Sequence, residues 1–339
     1  MGHAGAIRPR MATAGFNTSL DRVKPARGQQ TGAGCVKTSG LLSPGRPAGY
    51  RGPGNRPGWK LRFVEGIFRL SFKLCLNTST IRPQPLLEKI RLAAEAGFDA
   101  IELWINDLYE HVGRGGEIGD VKKALADHGL EVPSMIALRQ WGEASKLEYP
   151  LMLDEARRRM ELAARLGATY MVATPPREAC PESLLVDRYG ELLELGRQLG
   201  IRTTFEYVSF FGSVSTLDQA ISIVEQVGDT DATLIVDAFH TWNSDSNPQL
   251  LSTLPAHRVS HYHIDDAAPD IPAGEQTDPD RLMIGDGVID LPAEIRMLRE
   301  IGYQGMISLE LFNRQLWQQD PADVLDLGIK RLRELVENA

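Results

Sequence analysis

The chain has 339 residues, enough for one large domain and a tail, and at 42% hydrophobic and 24% charged it has the make-up of a soluble globular protein. No apolar run approaches the roughly 18 residues needed to cross a membrane. Three cysteines, Cys35, Cys75 and Cys180, are far apart and odd in number. That excludes a disulfide framework and a CxxC zinc site, fits a reducing compartment and sets a cytoplasmic location as the expectation.

Charge is unevenly spread. Of 37 Lys/Arg and 45 Asp/Glu, residues 1–64 hold eleven and one (Asp21), so 65–339 holds 26 against 44, a net of −18. A body so acidic lacks the clustered Lys/Arg that phosphate tracking needs, and no nucleic-acid partner is expected.

Residues 1–69 are rich in Gly, Pro and Arg, as in Leu42-Ser-Pro-Gly-Arg-Pro-Ala-Gly-Tyr-Arg-Gly-Pro-Gly-Asn-Arg-Pro-Gly58. Little there can form a core, so a disordered extension is expected ahead of a domain over 70–339. The basic, acid-poor composition has two readings: a transit peptide, or an appendage from a start site too far upstream, with the native start near Phe68–Phe72. The missing amphipathic helix and the density of Gly and Pro favour the appendage.

From Leu70 the character changes. Phe72-Lys-Leu-Cys-Leu76 reads as a first strand. Gln84–Ala96 follows as a helix with Leu86, Leu87, Ile90, Ala93 and Ala94 at helical spacing, ended by Gly97. Asp99–Trp104 is the second strand. The unit of helix, Gly and strand recurs with Gly129 before Val132–Ile136, Gly167 before Thr169–Ala173, and Gly200 before Arg202–Glu206. It recurs again with Gly228 before Thr233–Asp237, and with Gly302 before Gly305–Glu310. Between the last two glycines lies Val259–Asp266, a further strand. Strict alternation of eight strands with helices predicts a parallel (β/α)8 TIM barrel. A doubly wound sheet would want a glycine-rich phosphate loop after an early strand, and Asn77-Thr-Ser-Thr-Ile-Arg82 has none.

Val259-Ser-His-Tyr-His-Ile-Asp-Asp266 carries polar groups on a strand that reads as buried. His261, His263 and Asp265 share one face, which is costly unless something binds them. Three other strands end in a carboxylate: Glu206, Asp237 and Glu310. In a barrel these ends are neighbours on the catalytic face. Converging carboxylates repel and raise one another's pKa, a conflict that a divalent cation removes. The expectation is one metal ion, Mn²⁺, Mg²⁺, Co²⁺ or Zn²⁺, on Glu206, Asp237, His263 and Glu310. His263 is preferred to His261 because it lies nearer the strand end. His240, three residues after Asp237, is placed to reach over a substrate, and Trp104, ending strand 2, to stack on its ring. Phe210, Phe211 and Trp242 are candidates for the pocket wall, for plain packing or for contacts in a homo-oligomer. The facing of Glu102 is ambiguous between Ile101 and Leu103.

Taken together, Phe205-Glu-Tyr-Val208, Leu234-Ile-Val-Asp-Ala-Phe-His240, His261-Tyr-His-Ile-Asp-Asp266, Thr277-Asp-Pro-Asp-Arg281, Gly285-Asp-Gly287 and Ser308-Leu-Glu-Leu-Phe312 resemble the xylose-isomerase-like superfamily of sugar isomerases and epimerases. Their order and spacing resemble its 2-keto-myo-inositol (inosose) isomerase branch. The resemblance covers about 70–339 and implies the same four metal ligands. It also implies a sugar or cyclitol substrate in carbohydrate or inositol metabolism. Glu310 and Glu206, on strands 8 and 5, are placed to flank such a substrate and to move a proton beside its ketone as base and acid. In the related ketose 3-epimerases an arginine six residues after the His ligand holds substrate hydroxyls. Pro269 stands there in this chain, and Arg281 is the candidate replacement. A dehydratase on the same scaffold is the main alternative, with a ketose 3-epimerase and a non-catalytic sugar-binding barrel behind it. A multi-zinc endonuclease would need more than the body's six His and a basic face. No anion cradle is evident after strands 7 or 8.

Overall fold

The computed structural model describes residues 72–339, and the expectations for the N-terminal extension lie outside them. Eight parallel strands close into a barrel in sequence order: β1 Lys73–Asn77, β2 Ala100–Trp104, β3 Ser134–Leu138, β4 Tyr170–Ala173, β5 Arg202–Phe205, β6 Thr233–Asp237, β7 Val259–Ile264 and β8 Met306–Leu309. The helices between and after them are α1 Leu86–Ala96, α2 Ile105–Gly113, α3 Ile118–His128, α4 Tyr149–Leu166, α5 Glu182–Leu199, α6 Leu217–Val227, α7 Ala238–Asn243, α8 Leu291–Glu300 and α9 Pro321–Asn338.

The glycine punctuation is a backbone requirement. Gly97, Gly129, Gly167, Gly200 and Gly228 each cap a helix in the left-handed region, with φ between 67° and 90°. One strand sits later than its sequence predicts: β3 starts at Ser134, because Pro133 has no N–H to give a ladder. The β6–β7 connection carries only the six-residue α7 and short 3₁₀ turns at Pro248–Thr253 and Ala256–Arg258 instead of a full helix.

The main apolar core lies between strands and helices, with Leu103, Met171, Phe205, Leu234, Ile264 and Leu309 facing α-helical Ile90, Leu192 and Ile295. A small separate cluster of Ile136, Ala137, Val172 and Ile235 fills part of the barrel interior. The rest of the interior is polar. Register sets Asn77 opposite Glu102, Asp237 opposite His263, and His263 opposite Ser308. Among the described residues no helix is long and apolar enough to cross a membrane.

Candidate metal centre and active site

Glu206 and Glu310 each stand one residue beyond β5 and β8, Asp237 ends β6, and His263 is the penultimate residue of β7. Barrel closure therefore brings all four to one rim. His263 Nδ1 lies 3.1 Å from Glu310 Oε2 and 3.7 Å from both Glu206 Oε1 and Asp237 Oδ2. Donor atoms of Glu206, His263 and Glu310 all fall within 4.8 Å of one another, a separation that an ion can bridge. All four residues are buried.

The orientation of His263 is fixed from below by Glu102. Its Nε2–H donates to Glu102 Oε2 at 3.0 Å, a carboxylate being able only to accept. Nδ1 is then the free nitrogen, and it is buried without a hydrogen-bond partner. Glu102 also accepts from His261 Nε2 at 3.0 Å, Asn77 Nδ2 at 2.7 Å, Ser308 Oγ at 3.1 Å and the Ser134 hydroxyl. Burial alone would raise the pKa of Glu102, but His263 and His261 hold it well below the usual carboxylate range. Glu102, His261 and His263 are also close enough to hold an ion. The Glu102 oxygens are already saturated by donors, so this second cluster is a hydrogen-bonded support.

The upper set lacks such balance. Burial and Glu310 push Glu206 up to about 8. Burial opposes a charge on His263, yet Glu310 and Glu102 drive its pKa well above the ordinary value. Both shifts express surplus negative charge in a dry site. An orphaned imidazole nitrogen aimed at three carboxylates, in a site that draws in positive charge, fits a hard divalent cation. Of the remaining carboxylate oxygens, Glu310 Oε1 accepts from Asn77 Nδ2 at 2.7 Å and Glu206 Oε2 accepts from Thr174 Oγ1 at 3.2 Å.

Asp237 has a second task. Its Oδ1 caps α7 by accepting from His240 N at 2.7 Å, which is why His240 follows three residues later on the first helical turn. Burial pushes the His240 imidazole down to about 4, so it is neutral. Arg281 Nη2 donates to its Nε2 at 2.9 Å, and its Nδ1 meets the backbone N–H and the hydroxyl of Ser209 at 3.3 and 3.1 Å. Arg281 follows a 3₁₀ turn at Asp278–Asp280 and is almost wholly buried. Its Nη1 reaches Asp237 Oδ2 at 3.0 Å, Glu310 Oε2 at 3.5 Å and the Asp265 carboxylate. Against burial, Arg281 holds Asp237 well below the usual carboxylate range.

Trp104 is half-buried at the mouth, its indole N–H donating to Asn77 Oδ1 at 2.9 Å. It borders a cavity of about 380 Å³ with Ile136, Arg139, Arg177, Thr174 and Phe211, a volume suited to a small molecule. Phe210 packs on His240 with ring centres 5.5 Å apart, and Trp242 does not line the cavity. Sequence reasoning left Glu102 unplaced and passed over Asn77. The available signal was a carboxylate inside the otherwise apolar Ala100–Trp104.

Barrels that gather such donors at the mouth are scaffolds for metal-assisted chemistry on small oxygen-rich molecules. This chain belongs to the xylose isomerase-like TIM barrel family, whose sequence model matches residues 90–335. It is 29% identical to an inosose isomerase of Bacillus velezensis over 254 residues, 73% of this chain and 90% of that protein. It is 30% identical over 234 residues, 67% of this chain, to a 3-dehydroshikimate dehydratase of Pseudomonas aeruginosa, covering 36% of that protein. The crystal structure of the IolI protein with a binding zinc atom superposes with a TM-score of 0.74 at 27% identity, covering 78% of this chain and 98% of that one.

Proposed function

We propose that residues 70–339 form the catalytic unit of a divalent-metal-dependent isomerase. It moves a proton on the carbon beside a ketone, with 2-keto-myo-inositol (inosose) or a similar keto-polyol as substrate. The observation that carries this reading is His263 Nδ1, buried, unpartnered and facing Glu206, Asp237 and Glu310. The likeness to inosose isomerases over most of their length, and to a zinc-binding relative, supports it.

Glu206, Asp237, His263 and Glu310 would hold the ion, which supplies Lewis-acid polarisation of the substrate ketone and its neighbouring hydroxyl. The chain's own groups do the rest. Glu310 takes the proton from the carbon beside the ketone, and Glu206, whose carboxyl holds a proton readily, returns one to the adjacent carbon. Asn77, donating to Glu310 Oε1, keeps that carboxylate oriented. Neutral His240 and Arg281 sit beside the metal set and orient substrate hydroxyls or the groups that do. Trp104 offers an apolar face to the ring.

Dehydration begins with the same proton loss, and the likeness to a 3-dehydroshikimate dehydratase keeps that reaction as the second reading. Proton NMR of inosose incubated with metal-loaded protein in D₂O, with the ion chelated before acquisition, separates the two. Deuterium beside the ketone with an isomeric ketone and no loss of water supports the isomerase. An enedione-type product means a dehydratase. No exchange with Mn²⁺, Mg²⁺, Co²⁺ or Zn²⁺ overturns the assignment to inosose.

A further inference from the structure

The cavity beside the metal centre has a charge opposite to that of the body. Arg139 and Arg177 line it, and Arg82 joins them at Trp104. Among the described residues none of these three guanidinium groups has a carboxylate partner or a side-chain hydrogen bond. They rest on aromatic faces, Arg82 and Arg139 at 5.7 and 5.6 Å from the Trp104 ring centre and Arg177 at 4.7 Å from that of Phe211. Arg159, also in the wall, is already paired with Glu155 at 2.7 Å. Glu143 is the one acid lining the cavity.

A guanidinium is charged at all working pH and presents a planar fork of donors matched to carboxylate and phosphate oxygens. Exposed arginines elsewhere on this barrel are either paired, as Arg91 is with Glu88 and Glu95 and Arg197 with Glu194, Asp229 and Asp231, or stand apart from one another, as Arg157 and Arg296 do. Here several are drawn together without partners. Desolvation in the cavity wall works against the charge of Arg139; Glu206 opposes this, and Arg177, Arg159 and Arg82 add to it. The backbone beside Arg139 is constrained as well, since Gln140, lining the same cavity, takes φ 63°. An incoming anion would relieve the crowding. Thr174, which lines the cavity, donates to Glu206 Oε2 at 3.2 Å, so such an anion would stand within one small molecule's reach of the metal centre.

We propose that the substrate is a keto-polyol bearing an anionic group, a carboxylate or a phosphate, held by Arg139 and Arg177 over the β3 and β4 ends while its ketone faces the metal set. This rests on the reading of the metal centre given above. It departs from inosose itself, which is uncharged.

Isothermal titration calorimetry on the full chain with Mn²⁺ tests this. The probes are shikimate against its methyl ester and myo-inositol 1-phosphate against myo-inositol, each in the wild type and in an Arg139→Gln/Arg177→Gln variant. Both side chains are exposed and make no hydrogen bonds, so the variant should fold, as circular dichroism checks. In at least one pair the anion should bind about tenfold tighter or more than its neutral twin, and the variant should lose that difference. Discrimination in the first pair assigns a carboxylate, in the second a phosphate. Equal binding within both pairs, or a preference that survives in the variant, overturns the proposal. Calorimetry needs no turnover, so a failure of proton exchange on inosose removes the assignment to inosose and leaves this result to stand or fall alone.

Discussion

Glu102 Oε2 accepts the Nε2 proton of His263 at 3.0 Å, and both side chains are wholly buried. That hydrogen bond determines the tautomer of the imidazole and so presents Nδ1 to the carboxylates. Glu102→Gln exchanges one acceptor oxygen for a donor that cannot satisfy both His261 and His263. Metal affinity should fall by about 10- to 100-fold, the usual effect of losing the support behind a ligating histidine. Competition titration with a chelating dye measures it, and unchanged affinity would remove Glu102 from the account.

Proton competition should govern metal uptake. Glu206 holds its proton up to about 8 in the metal-free site, and His263 is also shifted well upward. A raised pKa means that the ion must displace a proton at any lower pH, so affinity weakens as pH falls below about 8. About one decade per pH unit is expected for each proton released. Calorimetry between pH 6.5 and 8.5, in two buffers of different ionisation heat, counts those protons.

Glu310→Gln preserves the shape of the side chain and the Asn77 contact at its oxygen while removing a base. Turnover should drop by about 10²- to 10⁴-fold with the melting temperature nearly unchanged. Near-normal activity would refute the role of Glu310.

Much of this arrangement was legible in the sequence. Capping glycines marked the helix–strand units, and carboxylates at Glu206, Asp237 and Glu310 stood out against apolar strands. Glu102 did not, because β2 is buried on both faces and alternation then carries no information about direction. Asn77 looked like loop chemistry, although it ties Glu102, Glu310 and Trp104 together. Arg281 was expected from the resemblance to hold substrate; its engagement with Asp237, Asp265 and His240 depends on a long loop whose path no local rule gives. The cationic cavity was missed for a related reason. Arg82, Arg139 and Arg177 follow three different strands, and no local pattern brings them together.

That loop has its own anchor. Asp266 accepts from the backbone N–H groups of Ala267, Gly285, Gly287 and Ile289, each at 3.0 Å. A Cβ on Gly287 would stand 2.2 Å from the Ala267 carbonyl, so the motif leaves no room for a side chain. Asp266→Ala strands these amides and should cost about 2–4 kcal/mol. Thermal denaturation reads the loss, and a stability within experimental error of the wild type would contradict the anchoring role.

Away from the mouth, Glu294 on α8 accepts from Tyr262 Oη at 2.5 Å, and burial pushes its pKa up to about 7 from an ordinary 4.5. The folded state therefore keeps a proton that the unfolded chain releases, so this residue's contribution to stability declines as pH rises from about 4.5 to 7. Glu294→Gln should flatten that decline and gain up to about 3 kcal/mol above pH 7. Denaturant unfolding at pH 5 and pH 8 compares the two proteins; a wild-type decline retained in the variant would assign it elsewhere.

One hard divalent ion is proposed to sit on Glu206, Asp237, His263 and Glu310. Anomalous diffraction from crystals grown with Mn²⁺ addresses it directly. A single peak per chain is expected, bonded to His263 Nδ1 and to oxygens of the three carboxylates, with Glu102 remaining hydrogen-bonded to Nε2. A peak at Glu102 and His261 instead, or none at saturating Mn²⁺, would contradict it.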